Sequence, residues 1–349
     1  MSEEIVLKRK DAEELAMKAC LASGAARACA RSLVDATLSA ASYGPPTLGF
    51  PHFVDYLDGF REGRINREPK PRLDRAFPAF FVSDADRGIA QLGFDLAFKD
   101  LLDAVRSFGV AVFTQTNSYT TGELGYYVRS LCNEGVIGLA ATNANAMMVA
   151  QAGGPVVYST NPMAFGFPLG EHMPPMIIDQ ASSATAFVNI VRAAEEKDPI
   201  PKGWAVDASG NATEDAEEAL TGALLPFGGR KGANVALLVE MLSAGLSGGP
   251  WSLDTPDFRS GTTSPAVGLS VIAIMPGPGA DGRIERALRQ VERLQEKSVF
   301  VPGVTGVNST HTSGEFSIPR SVYEKIATIA KTALDGEPSN RKHCDCYPK

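Results

Sequence analysis

Two segments of the chain bring charge into surroundings suited to chemistry. In the first, Ile177-Ile178-Asp179-Gln180-Ala181-Ser182-Ser183-Ala184, an apolar run delivers one carboxylate into a cluster of small hydroxyl residues. In the second, Leu224-Leu225-Pro226-Phe227-Gly228-Gly229-Arg230-Lys231-Gly232, a glycine-rich turn delivers an ammonium to a helix-like segment. Asp179 at the end of a buried strand would need a partner, because an unpaired buried charge is costly. The alternative is a helix N-cap, a role that Ser182 and Ser183 also suit. Lys231 beside the N–H groups of a helix start suits a phosphate or carboxylate ligand, and an exposed lysine is the plain alternative. Together the two segments read as half of a charged active site.

The elements that must position these residues follow from pattern. Residues 11–43 read as helices, with apolar residues at three- and four-residue spacing and no proline before Pro45. Gly44-Pro45-Pro46 opens a loop, and a helix over 53–62 ends at Gly63 before a proline-containing extended segment. Strands are expected at 80–83, 109–114, 137–142, 163–167, 176–178 and 268–275, and helices at 91–108, 124–134, 183–197 and 231–246. Helices at 282–297 and 319–334 close the chain. Interleaved strands and helices point to an α/β core with a mostly helical domain made from both chain ends. We place the helical domain at 1–78 plus 300–349 and the α/β region at 79–299.

Composition bounds the function. The chain has 349 residues, 44% of them hydrophobic and 21% charged, so it is globular and long enough for more than one domain. A net charge of −7 argues against nucleic-acid binding and favours small-molecule partners. No apolar run approaches the ~20 residues that cross a bilayer, and the acidic start Met1-Ser2-Glu3-Glu4 is unlike a signal peptide, so a cytoplasmic protein without membrane contact is expected. The five cysteines (Cys20, Cys29, Cys132, Cys344, Cys346) lack zinc-site spacing. His343-Cys344-Asp345-Cys346 reads as a solvated tail, and no metal is expected. Neither a Gly-x-Gly-x-x-Gly after a strand nor a Gly-x-x-x-x-Gly-Lys-Ser/Thr loop occurs.

Gly88-Ile89-Ala90-Gln91, Gly125-Tyr126-Tyr127, Thr160-Asn161-Pro162-Met163-Ala164-Phe165, Asp179-Gln180-Ala181-Ser182-Ser183, Gly203-Trp204-Ala205-Val206-Asp207 and 224–232 fall in the order and spacing of one family. From about residue 10 to 335 the chain resembles the type-2 malate/L-lactate dehydrogenases, which include ureidoglycolate and sulfolactate dehydrogenases and reductases of cyclic imines such as piperideine-2-carboxylate. The resemblance implies an α/β, non-Rossmann fold like that of L-sulfolactate dehydrogenase, with a mixed central sheet. It also implies a homodimer that uses NAD(P)H, with NADP ahead of NAD, on a small carboxylate substrate. It assigns cofactor contacts to Thr120, Thr121, Gly122, Ser182, Lys231, Pro302 and Gly303, and catalysis to Asp179 with residues of the loop after Tyr43.

In that loop the chain departs from the family motif Ser-His-Gly-x-x-Arg. Counting back without gaps from Tyr56 and Gly63 sets Thr47-Leu48-Gly49-Phe50-Pro51-His52 on it, so that Leu48 takes the histidine position and His52 the arginine position. We take this register first. A second register sets Ser42-Tyr43-Gly44 on the motif, with Tyr43 as proton donor, and requires a three-residue insertion. A further family histidine is replaced by Thr120, which cannot act as a general base at neutral pH. Val304-Thr305-Gly306 after Pro302-Gly303 brings none of the charge that would meet a 2′-phosphate. Loss of both histidines disfavours a plain 2-oxo or 2-hydroxy acid and favours a cyclic imine, which carries its own proton when protonated. A protein that binds the cofactor without turnover is the reading from another class.

Overall fold

The computed structural model describes residues 3–277, 279–305 and 314–332. Strand β1 (Glu4–Lys8) leads into helices α1 (Arg9–Ala22) and α2 (Arg27–Tyr43), a 3-10 turn at Pro46–Leu48, and α3 (Phe50–Arg61). Next come β2 (Arg72–Phe77), β3 (Phe80–Asp84), α4 (Ala90–Phe108), β4 (Val110–Ser118), α5 (Gly125–Asn133) and β5 (Ile137–Thr142). The middle of the chain holds β6 (Met148–Val149), β7 (Val156–Tyr158), β8 (Met163–Phe167), β9 (Met176–Gln180), α6 (Phe187–Glu196), β10 (Ala205–Val206), β11 (Ala212–Thr213), α7 (Ala216–Leu220), β12 (Ala223–Leu224) and α8 (Arg230–Glu240). After a π-helical turn at Met241–Gly245 follow β13 (Val267–Ile274), α9 (Ala280–Glu296), β14 (Glu315–Pro319) and α10 (Arg320–Thr332).

The main sheet has seven strands in the order β2-β3-β4-β13-β5-β8-β9. Only β3 and β4 pair in parallel, with α4 as their crossover, and every other neighbouring pair is antiparallel. The mixed sheet is therefore as expected. β13 is a near-continuous buried run because it lies mid-sheet with both faces covered. β2 and β9 are the edge strands, and Asp179 of β9 stands opposite Ala164 of β8. An edge strand leaves one side open, which places a carboxylate where a ligand can reach it.

A second sheet, β11-β10-β12-β6-β7, carries the loops around α8, and β1 pairs with β14 to join the two chain ends. One core cluster runs from Ala12 through Ile65 and takes in Ile89, Leu92, Tyr119 and Phe316 to Ala330. Another, from Phe81 to Ala273, underlies the main sheet.

Several boundaries differ from the sequence expectation. The helix expected from Ser183 begins at Phe187. Ser183 instead bridges Pro226 and its hydroxyl donates to the Thr185 carbonyl, so small hydroxyl residues hold a loop rather than start a helix. The helix expected from Phe53 starts at Phe50, with Pro51 in its first turn, where its missing N–H costs nothing. The extended segment before Phe80 contains β2, and β1 and β14 were not read from pattern. The His343-Cys344-Asp345-Cys346 tail and Gly306 lie outside the described residues.

Candidate active site

Asp179 lines a cleft of about 1250 Å³ together with Tyr43, Gly44, Glu123, Arg129, Pro302 and Gly303. Its Oδ2 accepts a 2.7 Å hydrogen bond from the Gly125 N–H at the start of α5. Burial lifts its carboxyl to about 7, and the charge of Glu123 adds to the rise. The Gly125 N–H, the Arg129 charge and the Leu124 N–H pull the other way without cancelling it. Asp179 does not cap the helix that follows it in sequence: it sits within β9, α6 begins after Ala186 with no side-chain cap, and its carboxylate instead meets the first N–H groups of α5 across space.

Glu123 and Arg129 form a buried ion pair, with side chains 2% and 8% exposed. Arg129 Nη2 donates to Glu123 Oε1 at 2.8 Å, and Nη1 donates to Glu123 Oε2 at 3.2 Å and to Ser39 Oγ at 2.7 Å. The guanidinium lies 4.3 Å from the centre of the Tyr43 ring. Tyr43 is the last residue of α2, and its position over the cleft comes from the packing of that helix end against α5. Neither Glu123 nor Arg129 was singled out from sequence. The available signal is a single charge within the run Tyr126-Tyr127-Val128-Arg129-Ser130-Leu131.

His52 is placed elsewhere. In the first turn of α3, its Nδ1 pairs with Asp55 Oδ2 at 2.9 Å and its Nε2 lies 3.4 Å from Thr120 Oγ1. The rings of Tyr56 and Phe258 meet its imidazole edge-on, at 5.0 and 5.8 Å. Neither His52, Thr47 nor Thr120 lines the cleft among the described residues. Thr47 is exposed in the 3-10 turn between α2 and α3. The carbonyl of Thr121 accepts from Gln91 Nε2 and the Tyr127 hydroxyl, and Gly122 has a φ of +66°, which turns the chain toward Glu123.

Of the remaining expected cofactor residues, Pro302 and Gly303 line the cleft, whereas Ser182 and Lys231 line neither it nor the hollow beside α8. Pro302 and Gly303 pack against β9, where Ile177 N–H donates to the Pro302 carbonyl at 3.1 Å. A Cβ on Gly303 would stand 2.7 Å from the Pro175 carbonyl oxygen, so only glycine permits that approach. Ser182 is buried and donates to the Asn161 carbonyl at 2.8 Å. Lys231 is exposed in the first turn of α8, beside a second hollow of about 880 Å³ lined by Tyr158, Ala184, Lys202, Trp204, Gly229 and Arg230. Among the described residues, no group of three or more His, Cys, Asp and Glu side chains could hold a metal ion, and no helix is long and apolar enough to cross a membrane.

Residues 7–326 match the family model for malate/L-lactate dehydrogenases. The chain belongs to this family. It is an oxidoreductase, as the resemblance implied. It is similar to an NADP(+)-dependent (2R)-3-sulfolactate dehydrogenase of Chromohalobacter salexigens, with 31% identity over 92% of this chain and 97% of the relative. It is also similar to a Delta(1)-pyrroline-2-carboxylate/Delta(1)-piperideine-2-carboxylate reductase of Pseudomonas aeruginosa, 31% identical over 77% of this chain and 82% of the relative. The solved structure of delta1-piperideine-2-carboxylate reductase from Pseudomonas syringae superposes with a TM-score of 0.85 at 28% identity, covering 93% and 99% of the two chains.

Proposed function

We propose that the protein is a nicotinamide-dependent reductase of a small cyclic imine bearing a carboxylate, of the pyrroline- or piperideine-2-carboxylate kind. The observation that carries this reading is Asp179, an enclosed carboxylate of the cleft that forms no ion pair among the described residues, unlike its neighbour Glu123. Glu123 already matches Arg129, so an ionised Asp179 calls for a positive partner, which a protonated imine supplies. A 2-oxo acid brings no such charge. The similar pyrroline- and piperideine-2-carboxylate reductases support the same substrate class.

A reduced nicotinamide, when bound, supplies the hydride. The protein's own residues hold the substrate and its charge. Asp179 balances the iminium, and Tyr43, on the cleft wall, offers a hydroxyl for proton exchange at the ring nitrogen. This assignment favours the register through Ser42-Tyr43-Gly44, and the 3-10 turn at Pro46–Leu48 is a natural place for the extra residues it requires.

The donor set suits a dinucleotide. Asp179 lines one hollow and Ala184 the other. Five residues of extended chain reach at most about 17 Å, on the order of the length of a dinucleotide. Lys202 and Arg230 would meet its phosphates and Trp204 its base, and these cations favour NADPH over NADH. Homodimer formation and a cytoplasmic setting are part of the same proposal. The exposed apolar side chains Leu237, Leu238, Met241 and Trp251 near the end of α8 support the dimer.

The test is NADPH oxidation with pyrroline-2-carboxylate and piperideine-2-carboxylate beside pyruvate and oxaloacetate. Turnover of the imines with at least tenfold higher kcat/KM is expected. Oxidation with the oxo acids alone would overturn the reading, and tight NADPH binding without any turnover would establish the non-catalytic alternative.

A further inference from the structure

We propose that Arg129 receives the carboxylate of the substrate, and that Glu123 holds it in place to do so. The inference rests on the reductase reading and names the residue that would select its acidic substrates.

Arg129 lines the cleft although its side chain is nearly buried. A guanidinium carries five N–H donors, and Arg129 makes three hydrogen bonds, to Glu123 twice and to Ser39. Among the described residues, two donors, on Nε and Nη2, are left over for a ligand. The plane of the group is fixed on one side by the Tyr43 ring and on another by the two-pronged contact with Glu123. A planar donor held this way is ready for a planar carboxylate, with little side-chain freedom left to lose.

The backbone also makes room for the pair. A Cβ on Gly44 would stand 2.9 Å from the Glu123 carboxyl, and one on Gly125 would stand 3.0 Å from Arg129 Nη2. Gly44 lines the cleft and Gly125 opens α5 behind it, so the ion pair fills space that side chains would otherwise take. With the exposed Glu134, Glu171 and Glu285 of the rim set aside, the enclosed charges form a pattern of two carboxylates, Glu123 and Asp179, against the Arg129 guanidinium. A ligand with a carboxylate toward Arg129 and a cation toward Asp179 complements that pattern. A protonated cyclic imino acid has this form, and a neutral imine or a simple 2-oxo acid does not.

Calorimetric titration with pyrrole-2-carboxylate and pyrrole-2-carboxamide, with and without NADPH, tests the assignment. The wild-type protein should prefer the carboxylate. Arg129→Gln should weaken the carboxylate at least about tenfold, the loss expected for a charged hydrogen bond, and leave the carboxamide within about threefold. Arg129→Lys keeps the charge without the fork and should fall between. Glu123→Gln breaks the two-pronged contact that fixes the guanidinium and should weaken the carboxylate several-fold. A wild-type protein that does not prefer the carboxylate, or that binds neither compound, overturns the proposal. So does an unchanged carboxylate-to-carboxamide ratio in Arg129→Gln. If that variant does not fold, an unchanged ratio in both Arg129→Lys and Glu123→Gln has the same force. Wild-type turnover of pyrroline-2-carboxylate is scored separately. Its absence beside the expected binding pattern overturns the reductase reading alone, and its presence without any effect at Arg129 overturns the Arg129 assignment alone.

Discussion

The cleft around Asp179 and the network around His52 are made of similar groups and differ in what encloses them. Each has an acid beside a group that could move a proton: Asp179 near Tyr43, and Asp55 on His52. At His52 the acid is already matched. Burial pushes Asp55 up, but the hydrogen bond and charge of His52 and the charge of Arg259 outweigh it and hold its carboxyl below the usual range. At Asp179 burial wins, and the carboxyl rises to about 7. One acid has its countercharge inside the protein, and the other faces a cleft where a ligand could bring it. The difference suggests that imidazole chemistry is not what drives this enzyme.

Asp179→Asn tests the comparison with the largest expected effect. The carboxylate that balances a developing charge is removed at constant shape, so kcat/KM for the imine should fall about 10²–10³-fold. Stability should move in a definite direction. With a folded value near 7 and an ordinary value of 3.8, the native state keeps a proton that the unfolded chain has already released between these pH values. Wild-type stability therefore falls as pH rises from about 4 to 7, and the asparagine variant escapes this loss. The full shift would correspond to about 4 kcal/mol. A cleft open to solvent should reduce this to on the order of 2 kcal/mol. Urea melts of both proteins at pH 4 and pH 8 measure it, and parallel pH dependence in the two would mean that the Asp179 carboxyl is not raised.

Tyr43→Phe comes next. It removes one hydroxyl and keeps the ring under Arg129, so kcat should fall about tenfold to a hundredfold with KM nearly unchanged. Steady-state rates with the preferred imine decide it. An unaffected rate would leave the proton to solvent and remove Tyr43 from the site.

Much of this architecture was legible in the sequence because it rests on local pattern. The strand at Met176 to Ile178 and the helix at Gln91 to Phe108 were placed from apolar runs bounded by glycine and proline. The same logic points to Asp179, as a charge where an apolar run ends. What pattern could not supply was the partner across space. Glu123 and Arg129 stand six positions apart, on the loop before α5 and within α5, but Ser39 and Tyr43 of α2 complete their surroundings only when α5 packs on α2, Ser39 from ninety positions earlier. The order of motifs located the loop after Tyr43, but its register depends on three residues of loop length that periodicity does not see.

His52→Ala should affect stability more than rate. Its imidazole bonds Asp55, packs on Tyr56 and Phe258, and is mostly enclosed, so its loss leaves a cavity and removes a partner of Asp55. A loss of about 2–3 kcal/mol is expected, with kcat/KM within about threefold. Chemical denaturation and kinetics on the same preparation separate the two effects. A rate loss above tenfold with little loss of stability would reverse the comparison and return His52 to the catalytic role that the gapless register gives it.

Thr120→Val should have the smallest effect and draws the finest line between the two regions. Valine matches threonine in shape, so packing is kept and only the hydroxyl is lost. That hydroxyl is 3.4 Å from His52 Nε2, at the long limit of a hydrogen bond, and it also supports the Tyr56 hydroxyl. Its removal should cost no more than about 1 kcal/mol, because Tyr56 still has the Gln91 side chain as a partner at 3.1 Å. NADPH affinity, followed by quenching of Trp204 and Trp251 fluorescence, should stay within about twofold if the loop acts on the cofactor only through its backbone. A tenfold loss of affinity would show that the Thr120 hydroxyl touches the cofactor, as the family resemblance implies. The His52 network would then be continuous with the active site, and the boundary between the two regions would have to move to the far side of α3.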